Sequence, residues 1–240
     1  MKIALMLPGL SRSADKCYKS LADNLLSKYD VDVYIHTYEQ TEISLNDSSL
    51  STTTLSAREL VDLLRPKKIV VENYDLVKNE FIRKYEKFYN IKCSAERCTS
   101  HLYKIKKCFE MIDEKYDVYI RSRMDVMYET PISISSLDMS GINIPLPTQK
   151  KTRLEDGYYF SYCTDFYHHS QLIGVLDHIA IGDFQNMKNY CSIYDNLEEM
   201  CIHKKIRYDT GEVMVLENLK LTNTKLNRFF CEYSLHRRHF

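Results

Sequence analysis

The stretch Asp117-Val118-Tyr119-Ile120-Arg121-Ser122-Arg123-Met124-Asp125-Val126-Met127-Tyr128 opens as an apolar-rich strand and closes in a charged cluster. Side chains of an extended chain alternate between two faces. That parity puts Tyr119, Arg121, Arg123 and Asp125 on one face, and Val118, Ile120, Ser122 and Met124 on the other. Two guanidinium groups and a carboxylate on a central strand are costly to bury without partners. Either they pair internally, or they meet a charged ligand at the strand's end. Arginine binds phosphate oxygens directly, and a carboxylate can hold Mg²⁺ or Mn²⁺ bridging a diphosphate. The chemistry open to this trio is therefore recognition of a phosphate-bearing ligand, with an internal Arg–Asp salt bridge as the plainer alternative.

The elements that must position such a site can be read from apolar patterning. Lys2-Ile3-Ala4-Leu5-Met6-Leu7, closed by Pro8-Gly9, reads as a buried strand of a parallel sheet. The loop Gly9-Leu10-Ser11-Arg12-Ser13 leads to a helix with Cys17, Leu21 and Leu25 at helical spacing. Helix N-termini bind anions through free N–H groups, and Arg12 would add charge there. On this segment alone the simpler reading is that Ser11 and Ser13 cap a helix and Arg12 is solvated. Residues 31–38 form a second strand ending in His36 and Thr37. This completes a βαβ unit, and ligands of open α/β sheets sit at the carboxyl ends of strands.

Residues 39–55 read as a Ser/Thr-rich surface loop, 56–65 as a short helix stopped by Pro66, and 67–72 as a third strand. Residues 75–90 read as a helix or irregular segment. Residues 95–115 are a stronger helix with Leu102, Ile105, Cys108, Phe109 and Ile112 on one stripe and Lys104, Lys106 and Lys107 on a solvated face. After Tyr128, residues 130–134 and 141–145 look like edge strands bounded by Pro and Gly. Residues 147–170 read as a mobile, aromatic-rich loop, a candidate lid or acceptor site; within it His168-His169 has no third metal ligand at convincing spacing. A strand at 177–183, helices at 184–201 and 211–221, a closing strand at 225–233 and a basic tail complete the chain.

Composition narrows the function classes. The 240 residues suit one large domain or two small ones. Lys+Arg and Asp+Glu both number 33, so net charge points to neither nucleic acid nor an anionic membrane. No run is long and apolar enough to predict a membrane span, and the N-terminal apolar run is too short for a signal peptide. The eight cysteines make no C-x-x-C pair and no zinc spacing with histidine, so they read as free thiols in a reducing cytosol. No G-x-x-x-x-G-K-S/T, G-x-G-x-x-G, G-x-S-x-G or H-E-x-x-H motif occurs. What remains is an α/β half with an anion-compatible loop, followed by a half that could shape an acceptor site. That is the layout of a nucleotide-sugar enzyme.

The chain resembles the GT-A-type glycosyltransferases of large DNA viruses and bacterial surface-polysaccharide clusters. The stretches that carry the likeness run in order along the chain. They are 2–5 with 9–12, 29–37, 66–72, Tyr116 to Asp125, Asp177 to Gly182, and Tyr233 to Arg237. The resemblance implies a GT-A-like (Rossmann-like) α/β fold with a mixed, mostly parallel sheet flanked by helices. It implies a single domain, with a nucleotide-sugar half at 1–128 and an acceptor half at 129–240. The activity implied is transfer of a hexose or deoxyhexose from a UDP- or GDP-sugar donor to a glycan or glycoprotein acceptor, in the cytoplasm (the host's, if viral). GT-A enzymes commonly hold Mn²⁺ or Mg²⁺ with Asp-x-Asp; here that place reads Arg123-Met124-Asp125. Asp125 is then the expected metal ligand, with Leu10, Ser11, Arg12, His36, Thr37, Lys104, Arg121 and Arg123 as the donor-binding set. An inverting enzyme needs a carboxylate base, whereas a retaining one can dispense with it, and both outcomes stay open. Asp177, before a strand expected near the acceptor, and Glu212, opening a late helix, are the candidates; a helix-cap or first-turn charge is the plainer reading of each. A non-catalytic, transferase-like module binding glycan or protein is the rival class, and a nucleotidyltransferase a third.

Overall fold

The computed structural model describes the backbone of residues 1–39, 55–85, 95–146, 152–155, 158–161, 166–168, 171–205 and 211–238; of these, 82, 84–85, 95–97, 152–155, 158–161, 166–168, 171–173 and 237–238 are described by their backbone alone. In chain order the elements are β1 (Lys2–Pro8), α1 (Ala14–Leu21, prolonged by a wider turn at Ala22–Leu26), β2 (Asp30–Tyr38), α2 (Ala57–Leu64) and β3 (Lys68–Glu72). Then follow α3 (Tyr74–Tyr85), α4 (Ala95–Glu110), β4 (Val118–Arg121), β5 (Val126–Tyr128) and β6 (Ile142–Pro145). Short strands β7 (Thr152–Glu155), β8 (Tyr158–Ser161), β9 (Phe166–His168) and β10 (Gln171–Gly174) come next. The chain closes with β11 (Ala180–Gly182), α5 (Phe184–Cys191), α6 (Gly211–Leu221), β12 (Leu226–Phe229) and β13 (Tyr233–Arg238).

Seven strands form one mixed, mostly parallel sheet in the order β12-β6-β11-β4-β1-β2-β3. Only β11 runs antiparallel to its neighbours β4 and β6. The near-continuous apolar run of β1 is what a strand covered on both faces requires. Its residues divide by parity: Ile3, Leu5 and Leu7 pack in one core cluster with Leu21, Leu25 and Leu60, while Ala4 and Met6 pack in the other with Leu102, Ile105 and Met187. Helices α1 and α2 thus cover one face, and α4, α5 and α6 the other. A second, antiparallel sheet has the order β5-β13-β8-β7, and β9 pairs with β10. At α2, Ser56 and Glu59 form a reciprocal capping box, which fixes the helix start.

Several expectations change on contact with the structure. β4 ends at Arg121, and the chain turns before β5. The strand parity that put Arg121, Arg123 and Asp125 on one face therefore stops at Arg121, since pairing with β1 ends at Met6 and Arg123 and Asp125 lie beyond the carboxyl end of β4. Residues 130–134 form no strand; a single 3-10 turn sits at Ile134–Ser136. β6 lies inside the sheet between β12 and β11 rather than at an edge. The segment 184–201 breaks after Cys191, where the Ser192 hydroxyl donates to the Asn189 carbonyl at 2.7 Å and Asn196 bonds Ser192 and Asn218. Such side chains offer the backbone an alternative to the helix ladder. The expected basic tail is instead β13, the second strand of the antiparallel sheet. In the expected aromatic loop at 147–170 the described backbone forms strands β7, β8 and β9, while its side chains and the loop expected at 40–54 lie outside the described residues.

One close approach fixes the sheet's far edge. A Cβ at Gly141 would lie 2.3 Å from the Lys225 carbonyl oxygen, the same oxygen that accepts from the Ile142 N–H at 2.8 Å. Gly141→Ala is expected to lower unfolding stability by about 2 kcal/mol or more, because backbone rather than a flexible side chain must move. Urea denaturation reads this directly. Gly9→Ala, at φ 110 with nothing within 4 Å of a Cβ, should cost about 1–3 kcal/mol through backbone strain alone.

Candidate functional site

A cavity of about 320 Å³ opens at the carboxyl ends of the parallel strands. The β1–α1 loop contributes Gly9, Leu10 and Arg12, the end of β2 contributes Tyr38, and α4 contributes Ser100, His101 and Lys104. The β4–β5 turn adds Arg123, Met124 and Asp125; Asp177 and His178 enter from the segment before β11, and Glu212 from the first turn of α6.

Two clusters of opposite character line it. In the first, the Asp125 carboxylate is buried and held from two sides. Arg123 donates Nε to Oδ1 and Nη2 to Oδ2, both at 2.7 Å, and Arg12 donates Nη1 to Oδ2 at 3.1 Å. Bidentate Arg–carboxylate pairs are among the strongest charge-assisted hydrogen bonds. Two cations on one anion leave a net positive charge facing the cavity. Arg12 has φ 30, in the left-handed region that a non-glycine residue rarely adopts; such strain clusters at functional sites.

In the second cluster, Asp177, His178 and Glu212 each offer a ligand atom, and these atoms lie within 4.8 Å of one another. The Val175 N–H donates to the Glu212 carbonyl at 3.1 Å, which ties the two segments. Position 211 is glycine, and a Cβ there would come within 3.3 Å of Asp177 Oδ2. His178 Nδ1 is 3.2 Å from the Tyr233 hydroxyl. Behind Asp177, His101 Nε2 lies 3.3 Å from Oδ2 and accepts a 2.6 Å hydrogen bond from Arg121 Nη2. Burial alone would raise the Asp177 carboxyl, but His101 and the charge of Arg121 outweigh it and hold it well below the usual carboxylate range. Burial and Arg121 lower the proton affinity of His101 against the opposing pull of Asp177, so this imidazole is neutral at pH 7.

The expected residues divide accordingly. Leu10, Arg12, Lys104, Arg123, Asp125, Asp177 and Glu212 all line the one cavity; Ser11, His36, Thr37 and Arg121 do not. Ser11 is buried and donates to the Leu55 carbonyl at 3.1 Å. Arg121 is fully buried, and its Nε and Nη1 have no hydrogen-bond partner among the described residues. Lys104, read as part of a solvated face, is 1% exposed: it donates to the Thr37 carbonyl at 2.8 Å and to Glu72 at 3.1 Å, and sits 3.2 Å from the Tyr38 ring centroid. A helical period cannot reveal this, because the partners come from β2 and β3. Asp125, expected as a metal ligand, has both oxygens engaged by arginine, so an ion would reach it only by displacing one. His101, His178 and Tyr38 were missed; the Asp177-His178 dipeptide was the one readable signal for His178.

Fold and site together define an α/β protein with a mixed sheet, whose strand ends carry a cavity cationic on one side and rich in carboxylate and imidazole on the other. No protein-family model matches the chain, and no curated protein matches it. Among solved structures the chain is similar to the crystal structure of mouse xyloside xylosyltransferase 1 in its apo form. The TM-score is 0.48 and the identity 11%, over 96% of this chain and 85% of that one. No helix among the described residues is long and apolar enough to cross a membrane.

His36 supplies a pH prediction. Burial, reinforced by Lys104 and Lys107, pushes its pKa down to about 3, so its 3.7 Å approach to Glu72 is not an ion pair at neutral pH. An unfolded histidine binds its proton near pH 6.5, so below that the unfolded state holds more protons than the folded one. Stability from this group is complete above about pH 6.5 and falls as pH drops toward 3, with a slope of up to about 1.4 kcal/mol per pH unit. His36→Gln should flatten the unfolding free energy over that window in urea titrations at stepped pH.

Proposed function

We propose that the chain is a GT-A-type glycosyltransferase. It moves a hexosyl or deoxyhexosyl group from a UDP- or GDP-sugar to a glycan or glycoprotein acceptor, with a divalent ion assisting, and acts in the cytoplasm. The observation that carries this reading is the meeting of both clusters in one cavity at the strand ends. A nucleoside-diphosphate donor needs cationic contacts on its phosphates, and glycosyl transfer needs carboxylates near the acceptor. The sheet order, with one antiparallel strand beside β4, accords with the GT-A layout. In this reading residues 1–128 form the donor half and 129–240 the acceptor half.

In this reading Arg12 and Arg123, aligned by Asp125, contact the diphosphate, and Leu10 and Tyr38 wall the nucleotide. Arg121, Ser11, His36 and Thr37 act from behind the cavity wall as supports rather than contacts. Asp177 and Glu212 serve either to take the acceptor hydroxyl's proton or to hold the ion. Asp177, kept strongly ionised, is a poor proton acceptor, since an efficient base needs a pKa nearer the working pH. A divalent ion bound here would neutralise charge building on the leaving diphosphate.

Isothermal titration of UDP- and GDP-sugars is expected to show binding, weakened about tenfold or more by Arg12→Met and by Arg123→Met, as loss of a charge-assisted contact implies. Affinity unchanged in both variants would remove the arginine cluster from the donor site. One observation favours the rival, non-catalytic class: the Asp125 carboxylate, the residue that the resemblance assigns to metal, is engaged by arginines. Donor hydrolysis without acceptor separates the two, since a transferase shows a slow hydrolytic rate and a binding module shows none.

A further inference from the structure

We propose that Asp177, His178 and Glu212 form the binding site for one divalent first-row transition ion, and that Asp125 is not among its ligands. The three donors come from two segments far apart in sequence, yet their ligand atoms fall within 4.8 Å. That convergence is built by the backbone. The Val175 N–H to Glu212 carbonyl bond ties the segment before β11 to the start of α6. The missing side chain at Gly211 lets the helix terminus approach Asp177 Oδ2.

The imidazole is oriented as a ligand should be. Tyr233 takes up Nδ1 of His178, so Nε2 is the nitrogen on the carboxylate side, 3.6 Å from Asp177 Oδ1. Metal-bound histidines characteristically have their second nitrogen fixed by such an outer partner. Two carboxylates this close repel one another, and among the described residues Arg121 hydrogen-bonds His101 rather than Asp177. A bound dication relieves that repulsion. One imidazole with two carboxylates suits Mn²⁺, Co²⁺ or Zn²⁺ better than Ca²⁺, which takes an all-oxygen shell, or Mg²⁺, which keeps much of its water.

The opposite cluster lacks these properties. Asp125 is gripped by Arg123 on both oxygens and by Arg12 on one, so the nearest charges to any ion there would be cationic. The cavity then has two electropositive points once loaded: an arginine pair and an ion. The use of both on one diphosphate rests on the transferase reading. Ion binding itself does not, and it also decides whether the carboxylates act as ligands or as a base.

The test is titration of the purified chain, without any donor, with Co²⁺ followed by visible absorption and with Mn²⁺ followed by electron paramagnetic resonance. One ion per chain is expected. His178→Ala and Glu212→Gln should each weaken binding by at least about tenfold, and Tyr233→Phe by about tenfold, as for an outer-shell partner. Asp125→Asn should stay within about twofold of the unaltered chain. Far-ultraviolet circular dichroism establishes folding; if His178→Ala does not fold, the partly exposed Glu212→Gln carries the test. Absence of ion binding, binding untouched by both ligand variants, or binding lost in an Asp125→Asn chain that circular dichroism shows to be folded overturns the proposal. Nucleotide-sugar binding measured with the ion chelated would still report on the transferase reading separately.

Discussion

Asp125 is the point at which the parts of this fold are joined. Its side chain closes the β1–α1 loop onto the β4–β5 turn through Arg12 and Arg123. Its carbonyl accepts the His236 N–H at 2.8 Å, which ties that turn to β13 and the second sheet. The Ser13 hydroxyl in turn donates to the His236 carbonyl, so the start of α1 meets the same strand. One residue, through its carboxylate and its carbonyl, thus links three segments separated by more than a hundred residues. Removing one partner of a buried pair leaves an uncompensated charge, typically a loss of about 3–5 kcal/mol. The same asymmetry makes the arrangement specific: only this register of loop, turn and strand neutralises Asp125.

Two further buried cations shape the cavity's back wall. Lys104 gathers the Thr37 carbonyl, Glu72 and the Tyr38 ring, joining α4 to β2 and β3. Arg121 sits deeper, with His101 between it and Asp177. Lys104 lines the cavity and Arg121 stands behind its wall, and both bias it toward anions. The carboxylates stand apart, on segments of the second half of the chain. That separation is what lets a single cavity hold a cation-rich side and a carboxylate side: placed together they would cancel as simple ion pairs.

Local patterning made much of this legible. The apolar runs of β1 and β2, the stripe of α4 and the apolar start of β4 all read correctly as elements. Their positions follow from periodicity and from the requirement that a two-face-covered strand be apolar throughout. The failures share a physical origin. Parity along 117–128 assumed an extended chain beyond Arg121, but pairing with both β1 and β11 stops at Arg121, and that limit is tertiary. Lys104 read as solvated because its partners are tertiary. β13 read as a basic tail because its hydrogen bonds go to β5 and β8, which sequence separation hides. At the site, residue types were readable and groupings were not. Arg12 meets Asp125 across 113 positions, and His178 meets Tyr233 across 55.

The Arg123-Met124-Asp125 triplet gains a definite meaning from this geometry. Compared with an Asp-x-Asp pattern, arginine at the first position reads in sequence as the loss of one metal ligand. The structure shows a larger change. Arg123 folds back over two residues to grip both oxygens of Asp125, so this carboxylate is a counter-ion that aligns guanidinium groups. A dication and a bidentate arginine compete for the same oxygens, and the arginine is covalently held in place at an effective concentration that a dilute ion does not match. The electropositive function survives at the strand end, carried by side chains. The Asp177, His178 and Glu212 group, built by different elements, stands across the cavity, and among the described residues no arginine is hydrogen-bonded directly to Asp177. Cationic and carboxylate side chains are thereby divided between two walls, which is why the sequence pattern located the cavity while leaving the second group to be found by distance.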